Sequence, residues 1–182
     1  MNQLHLTVAA VAAGFLLTGC AGRPMPGGGG PGIQVAFPPK IQEQRCDSNA
    51  ICKVKAFTRI APNGSCEVMP EVQNVRIGAA FKPKMMWKIE SIDTGHAYQY
   101  RFVFLPKAMP PLYGISIVGN DPAKDFDNPG VDAGRTTFVW DNKHLQAKTF
   151  DYALNVERRA PHAGPDADWE FCDVVDPKMF NE

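Results

Sequence analysis

The chain has no excess of either charge: 19 Lys and Arg stand against 19 Asp and Glu in 182 residues. Nucleic-acid binders carry a basic surplus to neutralise phosphates, so no nucleic-acid partner is expected. There is no acidic run to make a tail for basic partners either. Long apolar runs are also missing. The longest, Leu6 to Leu17, is interrupted by Thr7 and Gly14, and a helix needs about 20 apolar residues to span a bilayer. No window keeps a 3.6-residue apolar period for three turns. The 16 Pro and 16 Gly weigh further against long helices.

Catalytic and metal-binding signatures are equally scarce. No G-x-S-x-G surrounds Ser48, Ser65, Ser91 or Ser116. The four His are His5, His96, His144 and His162. Cys172 is followed by Met179 but by no His, so the Cys, His and Met grouping of a blue-copper centre is not there. The spacings C-x5-C and C-x13-C do not fit zinc. No cofactor is expected, and neither is an enzyme, although two carboxylates from distant positions can always meet in space.

What is present is ordinary globular material, 45% hydrophobic and 21% charged, enough for one domain with a core. Its dominant period is two. Cys52, Val54, Ala56, Thr58 and Ile60 alternate with Lys53, Lys55, Phe57 and Arg59, the pattern of a half-buried strand. Ala61-Pro62-Asn63-Gly64 is a turn signal. Further strands are expected at Ser65–Met69, Val72–Ile77, Met86–Glu90, Tyr98–Phe104, Ile115–Ile117, Arg135–Trp140, Phe150–Glu157 and Trp169–Phe171. The fold class is therefore all-β, an antiparallel two-sheet sandwich of about seven to eight strands.

Residues 1–20 read MNQLHLTVAAVAAGFLLTGC. The short apolar core and Leu17-Thr18-Gly19-Cys20 resemble the lipobox signal of bacterial lipoproteins. The segment Met1–Leu6 departs from that pattern in having no Lys or Arg. The resemblance implies cleavage before Cys20, lipidation of its thiol with diacylglycerol, further acylation such as palmitate, and stable membrane attachment. Ala21 in place of Asp implies the outer membrane in a Gram-negative cell. Residues 21–32, AGRPMPGGGGPG, form a flexible tether that reaches roughly 20 Å. Three segments result: a signal over 1–19, the lipidated Cys and tether over 20–44, and the β domain over 45–182.

With Cys20 assigned to lipid, Cys46, Cys52, Cys66 and Cys172 remain. Four cysteines in an oxidising compartment close as two disulfides in any of three ways. The favoured pairing is Cys46 with Cys52 and Cys66 with Cys172, and Cys52 paired with Cys66 or Cys172 is the alternative. The W-K-I, F-V-W-D-N-K, Y-A-L-N-V and C-x3-D-P-x3-N segments resemble uncharacterised exported β-sandwich proteins of proteobacteria, immunoglobulin-like or cupredoxin-like. That group implies a fold and no activity.

Two clusters stand out. Asp121, Asp125, Asp127 and Asp132 are weak Ca²⁺ candidates, because their spacing is not that of an EF-hand. Met85-Met86 and Met109-Pro110-Pro111-Leu112-Tyr113 are candidates for an exposed apolar surface. The expected function is a non-enzymatic, membrane-anchored envelope module that binds a protein or a cell-wall component. An envelope-polymer hydrolase and a metal-binding envelope protein are the alternatives.

Overall fold

The computed structural model describes residues 35–93, 98–118, 125–145, 147–160, 163–164, 168–174 and 178–181. The strands in chain order are β1 (Ile41–Cys46), β2 (Cys52–Ile60), β3 (Cys66–Pro70), β4 (Val72–Ile77), β5 (Lys84–Ser91), β6 (Gln99–Phe102), β7 (Phe104–Leu105) and β8 (Leu112–Tyr113). They continue as β9 (Ile115–Val118), β10 (Phe126–Val131), β11 (Thr137–Asn142), β12 (Lys148–Leu154), β13 (Val156–Arg159), β14 (Glu170–Phe171), β15 (Asp173–Val174) and β16 (Lys178–Asn181).

Two sheets carry the core. One has the order β1-β4-β16-β12-β9 and the other β10-β11-β5-β2-β3-β15. Alternation along β2 buries Cys52, Val54 and Ala56 and leaves Lys53 and Lys55 in solvent, so a sheet built from such strands has one apolar face to cover. The two faces close on each other. Trp87 of β5 meets Tyr152 of β12 edge-on at 5.8 Å, and Phe126 of β10 meets Phe150 of β12 at 5.2 Å. The result is the expected all-β sandwich. Burial of its large side chains stabilises it by on the order of 2–3 kcal/mol each.

The pairing is mixed, which departs from the antiparallel expectation. Parallel ladders join β1 to β4, β4 to β16, β2 to β5 and β3 to β15. Strand β1 starts at Ile41, so the last residues of the segment expected to be tether are part of a sheet. The turn at Pro62-Asn63-Gly64 forms as expected: Gly64 has φ +84° and donates to the Ala61 carbonyl at 2.9 Å.

The disulfides are Cys46–Cys52 and Cys66–Cys172, the favoured pairing. The first closes the β1–β2 connection. The second, between residues 106 apart in sequence, fixes the chain just before β15 to the start of β3.

Two long strands inferred from the period are each divided. Val103 separates β6 from β7, and Asn155 separates β12 from β13. The divided pieces β6, β7 and β13 lie outside the two main sheets. Strands β14, β13 and β6 make a small three-stranded sheet, and β7 with β8 makes a hairpin.

Candidate functional site

Asn155 builds the site. Its backbone N–H donates to the Gly114 carbonyl at 2.7 Å, and its carbonyl accepts from the Val103 N–H at 3.0 Å. Its side-chain amide donates to the Tyr113 carbonyl at 2.7 Å and the Ser116 hydroxyl at 2.6 Å. Both legs of the β7–β8 hairpin are thus bonded to the residue at which β12 becomes β13. Gly114 is required by close approach. A Cβ there would lie 2.7 Å from the Phe102 Cβ and 2.9 Å from the Phe138 ring.

The hairpin projects an apolar tip. Met109 is 98% exposed, Leu105 is half-exposed, and the Met109–Pro110 peptide is cis. Beside it opens a cavity of about 500 Å³. Its walls are Pro110, Pro111 and Pro129, and its interior is Tyr113, Ile115, Ile117, Phe126 and Trp140. Rings run from hairpin to core without a break: Phe104 to Tyr113 at 5.7 Å, Tyr113 to Trp140 at 6.2 Å, Trp140 to Phe126 at 5.5 Å. Ser116, Asp127 and Asn128 are its polar lining residues. Asp127 pairs with Lys143 at 3.3 Å, and the Asn128 amide donates to Asp141 at 2.9 Å. Such a site suits an apolar or weakly polar group held by contact area.

The sequence-predicted residues fall in three places. Met109 to Tyr113 form the tip and one wall of this cavity. Met85 is fully buried in the core, and Met86 is half-buried beside it on β5, so that pair is packing material. The aspartates do not gather. Asp125 is 1% exposed and accepts from the Leu145 N–H, Asp127 is in its ion pair, and Asp132 accepts from the Thr136 hydroxyl and the Thr137 N–H, both at 2.9 Å. Asp121, His96, His162 and Cys20 lie outside the described residues. Among the described residues no three His, Cys, Asp or Glu side chains come together around a common point.

A second opening of about 400 Å³ lies between the β10–β11 turn and the three-stranded sheet. Its residues were not singled out by sequence. Arg101 lays its guanidinium 3.6 Å from the centre of the Trp169 ring, and Arg159 lies 4.8 Å from the same ring. Arg101 also pairs through Nε with Glu157, which is 8% exposed. Nearby, the Tyr100 hydroxyl donates to Asp93. Burial and that bond push the phenol well above its usual range.

No family model matches the chain, and no curated protein matches it. Among solved structures it is similar to a rusticyanin variant, with 17% identity, 83% of this chain and 85% of that chain covered, and a TM-score of 0.28. It is also similar to reduced rusticyanin, with 18% identity, 72% and 79% coverage, and a TM-score of 0.24. A third structure, described as a copper protein, matches at 18% identity with a TM-score of 0.24. Overlap of that extent transfers no chemistry, and the Cys172, His144 and Met179 side chains are otherwise engaged. Cys172 is bonded to Cys66, His144 Nδ1 lies 3.0 Å from the Phe81 carbonyl, and Met179 is sealed in the core.

Proposed function

We propose that this chain is a lipid-anchored envelope protein whose β domain is a non-enzymatic binding module, with the β7–β8 hairpin and its adjoining cavity as the docking surface. Cys20 is the anchor and residues 21–32 the tether. The carrying observation is the juxtaposition of a nearly fully exposed Met109 with a cavity floored by Tyr113, Phe126 and Trp140. Solvent-facing apolar groups cost solubility, and a contiguous apolar surface rimmed by polar residues marks an interaction site. Prolines at the walls limit the flexibility lost on binding, which favours capture of an extended segment of a protein partner.

A photo-crosslinker at position 109 of the membrane-attached protein tests this reading. One envelope protein should be captured, and Ile117→Asp, which places a charge in the cavity, should abolish capture. Capture of the same protein at equal yield by Ile117→Asp would refute the hairpin site. Even labelling of many proteins would refute specific docking.

A further inference from the structure

We propose that the opening between the β10–β11 turn and the three-stranded sheet is an oxyanion site that takes a phosphate group, free or as the diester of a lipid headgroup. It is separate from the apolar cavity and does not depend on that reading. Three observations carry it.

First, its cations are not all used up. Arg101 pairs with the single carboxylate of Glu157 through Nε. The Arg135 guanidinium has no hydrogen-bond partner among the described residues, and both arginines line the opening. Arginine presents a planar fork of donors that matches phosphate oxygens.

Second, the site is held in place. Trp169 packs against the Arg101 face, and the Arg159 guanidinium, which donates to Gln99 at 2.6 Å, lies against the same ring. The turn bearing Arg135 is fixed because its carbonyl accepts from the Phe102 N–H at 2.7 Å, and Asp132 binds the following threonines. On β6, β13, β14 and the turn, Arg101, Arg135, Arg158 and Arg159 stand against Glu157, Glu170 and Asp132, and Glu170 is already paired with Arg158 at 2.9 Å.

Third, Arg135 occupies the left-handed region, with φ +53°. Glycine meets that conformation without penalty. Arg135 holds this conformation although no hydrogen bond of its guanidinium is found among the described residues, so the strain fits a residue held for a ligand.

The test titrates the lipidated full chain in neutral detergent with inorganic phosphate, and separately with dihexanoyl phosphatidylglycerol against dihexanoyl phosphatidylcholine. Trp169 is the reporter, since Trp87 and Trp140 are buried and Trp169→Phe isolates its signal. Saturable quenching below roughly 10 mM is expected, weakened about tenfold or more in Arg135→Gln and partly restored in Arg135→Lys. Saturation by phosphate alone identifies a free-phosphate site, and saturation by phosphatidylglycerol but not phosphatidylcholine identifies a headgroup site. Arg135→Gly should lose binding with no fall in melting temperature, which a merely structural arginine would not allow. No saturation by either probe, or unchanged affinity in Arg135→Gln, overturns the proposal. Arg101→Gln is a poor test, because it strands the buried Glu157 carboxylate and unfolding would mimic lost binding.

Discussion

Tyr152 sits at the centre of the sandwich with no exposed surface, and its hydroxyl completes no hydrogen bond of ordinary geometry, although the Trp87 indole N–H is its neighbour. Burial pushes the pKa of this phenol up to about 12. The ordinary phenol value is about 10. A group whose folded value is raised keeps its proton better in the folded state. Its contribution is therefore intact below pH 10 and is lost as pH climbs from 10 towards 12, about 3 kcal/mol in all. Tyr152→Phe should remove that alkaline loss while leaving neutral-pH stability within about 1 kcal/mol of the parent, since an unpartnered hydroxyl contributes little. Denaturant titrations at pH 7.5 and 11 would show it, and equal alkaline loss in the variant would refute it. Asn155 is the opposite case, because its backbone N–H and carbonyl and its side-chain NH2 are all used. Asn155→Ala should cost about 2–3 kcal/mol and loosen the hairpin. Backbone amide exchange at Val103 and Asn155 should then rise more than exchange along β2.

At the scale of elements, the two disulfides act on the unfolded chain in proportion to the loops they close. Cys66–Cys172 spans 106 residues and Cys46–Cys52 spans 6. By loop-closure entropy they contribute about 4–5 and about 2 kcal/mol. Replacing the long-range pair by alanines should therefore destabilise roughly twice as much as replacing the local pair, measured by guanidinium unfolding. The reverse order would mean that the folded state is strained at the long-range bridge. These bridges also show how far sequence reaches. The period-two runs of β2, β5 and β12 were legible because one face of each is buried. Strand β10 was not, since Asp127-Asn128-Pro129-Gly130 has turn chemistry. It forms at a sheet edge, with a register shift between Asp127 and Gly130, where a proline leaves no ladder bond unmade. The parallel partners were hidden because local alternation says which face is buried and nothing of which strand lies alongside. Of the candidate site, only Met109 to Tyr113 could be read, as an apolar run among prolines. Phe126 and Trp140 join it through tertiary pairing, and Arg101, Arg135 and Trp169 read individually as ordinary surface residues.

For the whole molecule, the balance of charge bears on the proposed anchor. A chain with equal numbers of acidic and basic residues has little long-range attraction to an anionic membrane surface, so the proposed attachment would have to rest on acyl chains at Cys20. One chain binds reversibly and two or more bind stably, because each buried methylene contributes about 0.8 kcal/mol. Under the proposed anchoring, a flexible segment of twelve residues would keep the β domain within roughly 20 Å of the surface and raise the effective concentration of a partner in the same membrane to the millimolar range. Cys20→Ser should block acylation, seen as lost incorporation of labelled palmitate, while leaving both disulfides and the fold intact. Crosslinking from position 109 should fall about a hundredfold in cells, yet return when the lipid-free protein is supplied at high concentration to solubilised envelope. Undiminished crosslinking by Cys20→Ser in cells would place the docking partner off the membrane and separate the binding function from the anchor.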